Sequence, residues 1–85
     1  MLFLIIEQFK DVAAIEDRFR AKGRMLPEGV TYQASWVDPV ALRCFQLMEA
    51  PDEESLRPWL AAWSDLTDFE VVPVVTSGQF WATRS

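Results

Sequence analysis

Residues 2–9 read LFLIIEQF, and this stretch decides the fold of the chain. It is rich in strand-forming residues, and apolar side chains occupy alternate and intervening positions alike, which predicts a strand buried on both faces. The apolar run has no basic residues before it and falls far short of the roughly 20 apolar residues that a membrane-spanning helix needs. The sequence therefore predicts a core strand here, and neither a signal peptide nor a membrane anchor.

A helix is predicted directly after this strand. Asp11 is placed to cap its N-terminus. Val12, Ile15 and Phe19 recur at spacings of three and four residues, the pattern of an amphipathic helix. Gly23 is expected to end it.

A second helix is predicted after Pro51 and Asp52. Its apolar positions form one stripe at helical spacing: Leu56, Trp59, Leu60, Trp63 and Leu66. Pro58 leaves two alternatives open, since a proline is tolerated in the first turn of a helix and kinks the helix elsewhere.

Three further strands are predicted. Residues 30–37 and 41–49 form a hairpin, and residues 69–76 form the last strand, where Pro73 indicates an edge position or a bulge. Strict alternation puts three side chains on one side of the first hairpin strand: Tyr32, Ala34 and Trp36. Residues 78–85 are predicted to be a tail, with two aromatic side chains that are expected to dock on the same chain or on a partner.

The resulting order, β-α-β-β-α-β, is that of the ferredoxin-like α+β sandwich, in which both helices cover one face of a four-stranded antiparallel sheet. We expect residues 1–77 to form one such domain. Three of its strands carry apolar residues on both faces, which two helices are unable to cover. A homodimer through the uncovered sheet face is therefore expected, giving a dimeric α+β barrel with a cavity between the sheets.

Composition excludes several classes of function. The 85 residues include 13 acidic and 8 basic side chains and no histidine, for a net charge of −5, so binding to nucleic acid or to an anionic membrane is not expected. The single cysteine, Cys44, cannot close an intrachain disulfide, which favours a cytoplasmic protein. Without histidine, we expect no metal site, no histidine-ligated haem and no other cofactor.

Several stretches resemble a small bacterial family known as a domain of unknown function. They are the first strand and helix through Phe19, RMLPEG at 24–29, SW at 35–36, CFQLME at 44–49 and WSDLTDFEVVPV at 63–74. That family is similar in fold to the dimeric α+β barrels, which include cofactor-independent monooxygenases, muconolactone isomerase-like enzymes, stress-responsive proteins and chlorite dismutase-like haem proteins. The resemblance implies a fold and a dimer, and it supplies no reaction.

Candidate site residues come from polar side chains on apolar strand faces. Glu7 and Gln46 each need a partner or water there. If Leu2, Leu4 and Ile6 face the helices, both polar groups face the barrel cavity, and Glu7 acquires a raised pKa suited to proton transfer. Three side chains are expected near a ligand in that cavity: Tyr32, Trp36 and Cys44. Cys44 is interpreted first as a small packed hydrophobe.

Two hypotheses remain open. In one, the chain is a non-catalytic dimer that binds a small hydrophobic or aromatic molecule or serves as an oligomeric module. In the other, it is a cofactor-independent, monooxygenase-like or isomerase-like enzyme, with Glu7 as proton acceptor, Gln46 as hydrogen-bond donor and an aromatic or polyketide-like substrate. The second hypothesis requires a cavity large enough for a bicyclic ligand.

Overall fold

The computed structural model describes residues 1–84, which form four strands and three α-helices. In chain order the elements are β1 (Leu2–Phe9), α1 (Val12–Lys22), β2 (Thr31–Asp38), β3 (Arg43–Glu49), a 3₁₀ turn (Glu54–Leu56) leading into α2 (Arg57–Trp63), β4 (Thr67–Val74) and α3 (Ser77–Arg84). The predicted order of the strands and of the two helices between them is confirmed. The described part of the segment predicted to be a tail, residues 78–84, is helical and belongs to α3.

The four strands form one antiparallel sheet in the order β2-β3-β1-β4. The first strand is therefore central, with β3 on one side and β4 on the other. Phe3 lies opposite Met48 and Pro73, and the same pairing continues to the far end of the strand. Pro73 belongs to an edge strand, as its sequence context predicted, because only an edge strand tolerates the missing N–H.

The core lies between one face of the sheet and the helices. Phe3, Ile5 and Met48 are completely buried there. They pack with Trp59 and Trp63 of α2, and Trp59 also meets the ring of Phe69 at a centroid distance of 5.3 Å. The second helix is thus the main cover of the sheet.

Both helices begin as their sequences dictate. The Asp11 carboxylate caps α1 by accepting a hydrogen bond from the backbone N–H of Ala14 at 3.0 Å. Pro58 lies in the first turn of α2, where a proline costs the helix no hydrogen bond, so the alternative of a kink is not needed. No residue of α1 is fully buried. This helix therefore covers the sheet more loosely than α2 does.

The other face of the sheet, which we call the open face, carries apolar side chains that are only partly buried. Its members are Leu2, Leu4, Ile6, Ala34, Trp36, Phe45, Leu47, Val72 and Val74. Polar and charged side chains occupy the strand ends and outer positions of the same face, among them Arg43, Glu49 and Glu70. Both helices that pack on the core lie across the sheet from these residues. The open face is therefore an apolar patch with a polar rim.

The predicted assignment of the two sheet faces is wrong. Leu2, Leu4 and Ile6 lie on the open face, and the alternate residues of β1 face the helices. An apolar run on both sides of a strand contains no signal for which side meets the helices. Which set of alternate residues of β1 faces the helices therefore determines on which side of the sheet the candidate residues of that strand and of its neighbours lie.

A β-bulge corrects the second expectation about faces. The pairing of β2 with β3 shifts between Tyr32 and Ala34. Tyr32 consequently faces the helices, while Trp36 lies on the open face and is 59% exposed. An extra residue in one strand reverses the side-chain parity beyond it.

No helix among residues 1–84 is both long and apolar enough to cross a membrane.

Candidate functional site

The most unusual group in the core is the carboxyl of Glu7. Glu7 stands on the helix-facing side of β1, opposite Cys44 in β3 and Phe69 in β4, and it is only 8% exposed. Its Oε2 atom is buried and has no hydrogen-bond partner. A buried carboxyl oxygen without a partner is costly, so it marks a place where a partner from outside the chain fits.

Burial raises the pKa of Glu7 from its ordinary value of 4.5 to about 7. Loss of hydration penalises the carboxylate, and this effect outweighs the hydrogen bond from the Cys44 thiol and the positive charge of Arg24, both of which favour the ionised form. The interaction between Glu7 and Cys44 lowers the pKa of Glu7 and raises the pKa of the Cys44 thiol. Burial and the neighbouring carboxylate raise the pKa of Cys44 to about 12, which leaves the thiol protonated and unreactive at neutral pH.

A cavity of about 90 Å³ separates Glu7 from the helices. Its walls are mainly aromatic and aliphatic side chains from both layers: Glu7, Phe9, Ile15, Phe19, Arg24, Gln46, Trp59, Trp63 and Thr67. The volume gives room for roughly six water molecules, which together displace about as much liquid as one substituted aromatic ring. The loose packing of α1 explains why this space exists, because no side chain of that helix is fully buried, whereas both α2 side chains at the wall are.

Arg24 is the one positively charged side chain among the residues that line this cavity. The chain is turned toward the cavity by Gly23, which caps α1 with φ at 66°. The backbone of Arg24 is held by the indole N–H of Trp63, which donates to its carbonyl oxygen at 3.0 Å. Its guanidinium lies over the Tyr32 ring at 3.7 Å from the centroid and near the Phe19 ring at 5.3 Å.

The structure brings four of the five candidate residues to one side of the sheet. Glu7 and Gln46 line the cavity, and Cys44 lies beside Glu7. Tyr32 lies under Arg24, with its hydroxyl 2.7 Å from Ser35 Oγ. The side-chain amide of Gln46 donates to the sulfur of Met48 at 3.0 Å rather than to Glu7.

Trp36 is separated from these residues by the thickness of the sheet. Glu7 and Gln46 line a cavity between the sheet and the helices of one chain, whereas the sequence predicts both in a cavity between two sheets.

Sequence reasoning missed seven of the nine residues that line the cavity, among them Trp59, Trp63 and Arg24. Trp59 and Trp63 belong to the predicted apolar stripe of the second helix, and their second role as cavity walls has no separate signal. Arg24 does have one, because it comes immediately after the glycine that ends α1 and so leaves the exposed face of that helix.

A second concave region lies at the opposite end of the sheet. It is an open cleft of about 530 Å³ between the ends of the strands and α3, bordered by Met1, Leu2, Glu49, Pro73, Val74, Val75, Thr76 and Gln79. It contains no buried unpartnered polar atom among the described residues. Within residues 1–84 no group of three or more cysteine and carboxylate side chains is arranged to hold a metal ion.

These observations define the chain as a two-layer α+β domain with one buried carboxyl in a small aromatic cavity. The model of the family described as "Domain of unknown function (DUF3303)" matches residues 1–85. The chain belongs to that family, which confirms the predicted kinship with a small domain of unknown function and extends it through residues 78–85. Neither the curated proteins nor the solved structures contain a significant match to the chain.

Proposed function

We propose that this domain binds a small, single-ring molecule in the cavity between its sheet and its helices. The observation that carries the proposal is the buried, unpartnered Oε2 of Glu7 at the wall of an aromatic cavity. Ligand sites are typically concave and apolar, with a few polar groups that fix the orientation of the ligand. Glu7 and Gln46 are those groups here, and a ligand hydroxyl or amide supplies the missing hydrogen bond.

The cavity volume sets the size of this ligand. One ring with a short substituent fits the free space of about 90 Å³, so the ligand that we propose has a single ring. Trp59 and Trp63 favour a flat ligand, since aromatic rings stack or meet edge to face at little cost.

Titration with benzyl alcohol tests this proposal. Binding is measured by isothermal calorimetry and by the change in tryptophan fluorescence, to which Trp59 and Trp63 both contribute. We expect saturable binding at millimolar concentration. Ile15→Phe, which fills the cavity from α1, is expected to abolish it while the circular dichroism spectrum stays unchanged.

Ala61→Phe is the matched control, because Ala61 is exposed on α2 and lies outside the cavity. It adds an aromatic ring without occupying the site and is expected to bind like the natural chain. Equal binding by Ile15→Phe and Ala61→Phe would contradict the proposed location.

A second candidate function is proton transfer to or from a bound ring ketone, with Glu7 as the base. The pKa of about 7 favours it, because a carboxyl that is half ionised near neutral pH both accepts and returns a proton. Acetophenone in D₂O is a suitable probe, with deuterium in its methyl group followed by NMR. A Glu7→Gln variant that still binds acetophenone but no longer exchanges the methyl protons of this ketone would support catalysis. Equal rates of exchange with the natural chain and with the variant would oppose it.

We also propose that the fold is ferredoxin-like and that two copies pair through the open face. Taken from the other edge, the strand order is β4-β1-β3-β2, which is the order of the ferredoxin-like sheet and supports the likeness to dimeric α+β barrels. Four strands spaced ~4.8 Å apart and about seven residues long present roughly 450 Å². Two such faces bury about 900 Å², which is below the roughly 1,200 Å² of a stable specific interface and typical of weak, transient pairing.

The composition of the open face supports the same pairing. Its centre is apolar and its rim is charged, the usual anatomy of an interface between proteins.

We propose the cytoplasm as the compartment of this protein. Its one cysteine, Cys44, is a buried free thiol, which is consistent with a reducing compartment.

A further inference from the structure

We propose that the ligand of this cavity is a small aromatic acid, whose carboxylate binds the guanidinium of Arg24 while its ring lies between the sheet and α2. The inference rests on the proposed binding function and names the chemical class of the ligand. Its basis is a half-buried cation at the cavity wall that forms no ion pair among residues 1–84, where the carboxylate it acts on is that of Glu7, without direct contact between the two charges.

Arg24 differs from the other arginines near it in having no carboxylate partner. Arg18 pairs with Asp65 at 2.7 Å, and Arg20 pairs with Glu16 one helical turn away. Within the described part of the chain Arg24 makes no ion pair, and its side chain donates no hydrogen bond to the protein. Half-burial of a charge whose donors lack protein acceptors is unfavourable, and a bound anion removes that cost.

The geometry of Arg24 is suited to a carboxylate. The guanidinium carbon of Arg24 lies 3.7 Å from the centroid of the Tyr32 ring, which restricts the movement of the group. The N–H edge of a guanidinium matches the two oxygens of a carboxylate, which accept two parallel hydrogen bonds. Contact with an aromatic ring restricts the guanidinium before the ligand arrives, which lowers the entropic cost of binding.

The charges of the cavity wall also select an acid. Glu7 and Arg24 are its only ionisable groups. When Glu7 is protonated, the cavity has a net positive charge of one, which favours an anion and repels a cation. The nearby Arg18 adds no net charge, because Asp65 neutralises it.

Protonation of Glu7 has a further consequence for an acidic ligand. The protonated carboxyl donates a hydrogen bond, whereas its ionised form repels a carboxylate nearby. The groups that face Glu7 are Cys44 from β3, whose pKa is raised to about 12, Arg24 after α1, and uncharged side chains of α1, α2 and β4. Because Glu7 loses its proton as the pH rises through about 7, an aromatic acid is expected to bind more weakly over that range.

Comparison of benzoate with benzyl alcohol tests the proposed class. The two probes share a ring and differ in charge, and binding is measured by calorimetry at pH 6. We expect benzoate to bind at least tenfold more tightly than benzyl alcohol. Arg24→Gln is expected to weaken benzoate binding at least tenfold, by more than it weakens the binding of benzyl alcohol, and its circular dichroism spectrum reports that the variant is folded.

Arg20→Gln is the matched control, because it removes the same charge from a neighbouring exposed position. It is expected to leave both affinities unchanged. Loss of benzoate binding in both variants would show a general effect of charge and overturn the role of Arg24.

The outcomes separate this inference from the proposed function. If the natural chain binds both probes equally, the cavity binds ligands and the acidic class is wrong. If it binds neither probe at millimolar concentration, the proposed function fails as well. If benzoate binds as tightly to Arg24→Gln as to the natural chain, the carboxylate lies elsewhere and the inference is overturned.

Discussion

At the scale of single residues, the energetics of this domain centre on Glu7. Most carboxylates of the chain are exposed and several have their pKa lowered by hydrogen bonds, as Asp38, Asp52 and Asp65 do. Glu7 is the opposite case, because burial without a partner for Oε2 makes the ionised form unfavourable in the folded state. One residue therefore links the stability of the ligand-free domain to pH near neutrality.

We predict that the free energy of unfolding of the natural chain falls between pH 5 and pH 8, and that Glu7→Gln abolishes this fall. The pKa of Glu7 rises from 4.5 in the unfolded chain to about 7 in the folded one. The folded state therefore binds more protons over this window, and its stability falls as the pH rises. A shift of this size corresponds to about 3 kcal/mol at most above pH 7. Urea denaturation at pH 5 and pH 8 measures the difference.

Glu28→Gln is the control for this experiment, because Glu28 is exposed in the loop before β2. It is expected to retain the pH dependence of the natural chain. The low pKa of Asp65, about 2, affects stability only in more acidic solutions, so it does not interfere. A Glu7→Gln variant that loses stability toward pH 8 as steeply as the natural chain would rule out the explanation.

At the scale of elements, the C-terminal end of α1 determines where Arg24 lies in the cavity wall relative to Glu7. Gly23 has φ at 66° and ψ at −155°, a region that is essentially restricted to glycine. The chain thus leaves the helix axis in a single residue, and Arg24 turns toward the cavity. This turn is a backbone requirement of the site.

We predict that Gly23→Ala destabilises the domain by roughly 1–3 kcal/mol, the usual cost of forcing a side chain into such a conformation. No atom lies within 4 Å of the added methyl group, so the cost comes from the backbone alone. Chemical denaturation measures it, and benzoate affinity is expected to fall in parallel because Arg24 is displaced.

Gly78→Ala provides the comparison. Gly78 is in α3 and its added methyl group also meets nothing within 4 Å, while its backbone is helical. Alanine is expected to favour that helix by about 1 kcal/mol, so this variant loses no stability. Equal destabilisation by the two substitutions would contradict the argument from backbone conformation.

The elements themselves were largely predictable from sequence. The helical spacing of Ile15 and Phe19, the cap at Asp11 and the first-turn position of Pro58 gave the helices, and the edge position of Pro73 was correct. Each of these signals is local, which is why a single sequence contains it.

The arrangement of the site was less predictable, for two physical reasons. The apolar residues on both sides of β1 made either side equally suited to the core, so the face that carries Glu7 was assigned wrongly. The bulge before Ala34 depends on pairing with β3, and it moved Trp36 away from Tyr32. Tertiary contacts, and not local sequence, therefore determine which side chains lie near Glu7.

At the scale of the whole molecule, the domain is a thin plate. Its principal extents are 47, 31 and 17 Å, and within residues 1–84 the core helices α1 and α2 pack on one broad side of the sheet. Its radius of gyration is 14.0 Å, whereas a compact chain of this length has about 12 Å. A second copy on the open face, as we propose, would thicken the plate and bury the apolar patch.

We predict that Trp36→Glu weakens dimerisation at least tenfold. Trp36 is exposed in the single chain, so a charge there leaves the fold intact, whereas in a paired open face it is buried without a partner. Sedimentation velocity across micromolar concentrations measures the change. Ala61→Glu, on the outer surface of α2, is the control and is expected to sediment like the natural chain. A natural chain that remains monomeric throughout would exclude the proposed dimer.

Both margins of the sheet are interrupted, one by the bulge in β2 and the other by Pro73 in β4. Edge strands that are bent or that lack a donor are poor templates for further strands, which is how natural sheets avoid fibrils. Growth of the sheet through its edges is therefore disfavoured. If two copies pair through the open face as we propose, association ends at that pair, and high concentration is expected to yield dimers rather than polymers.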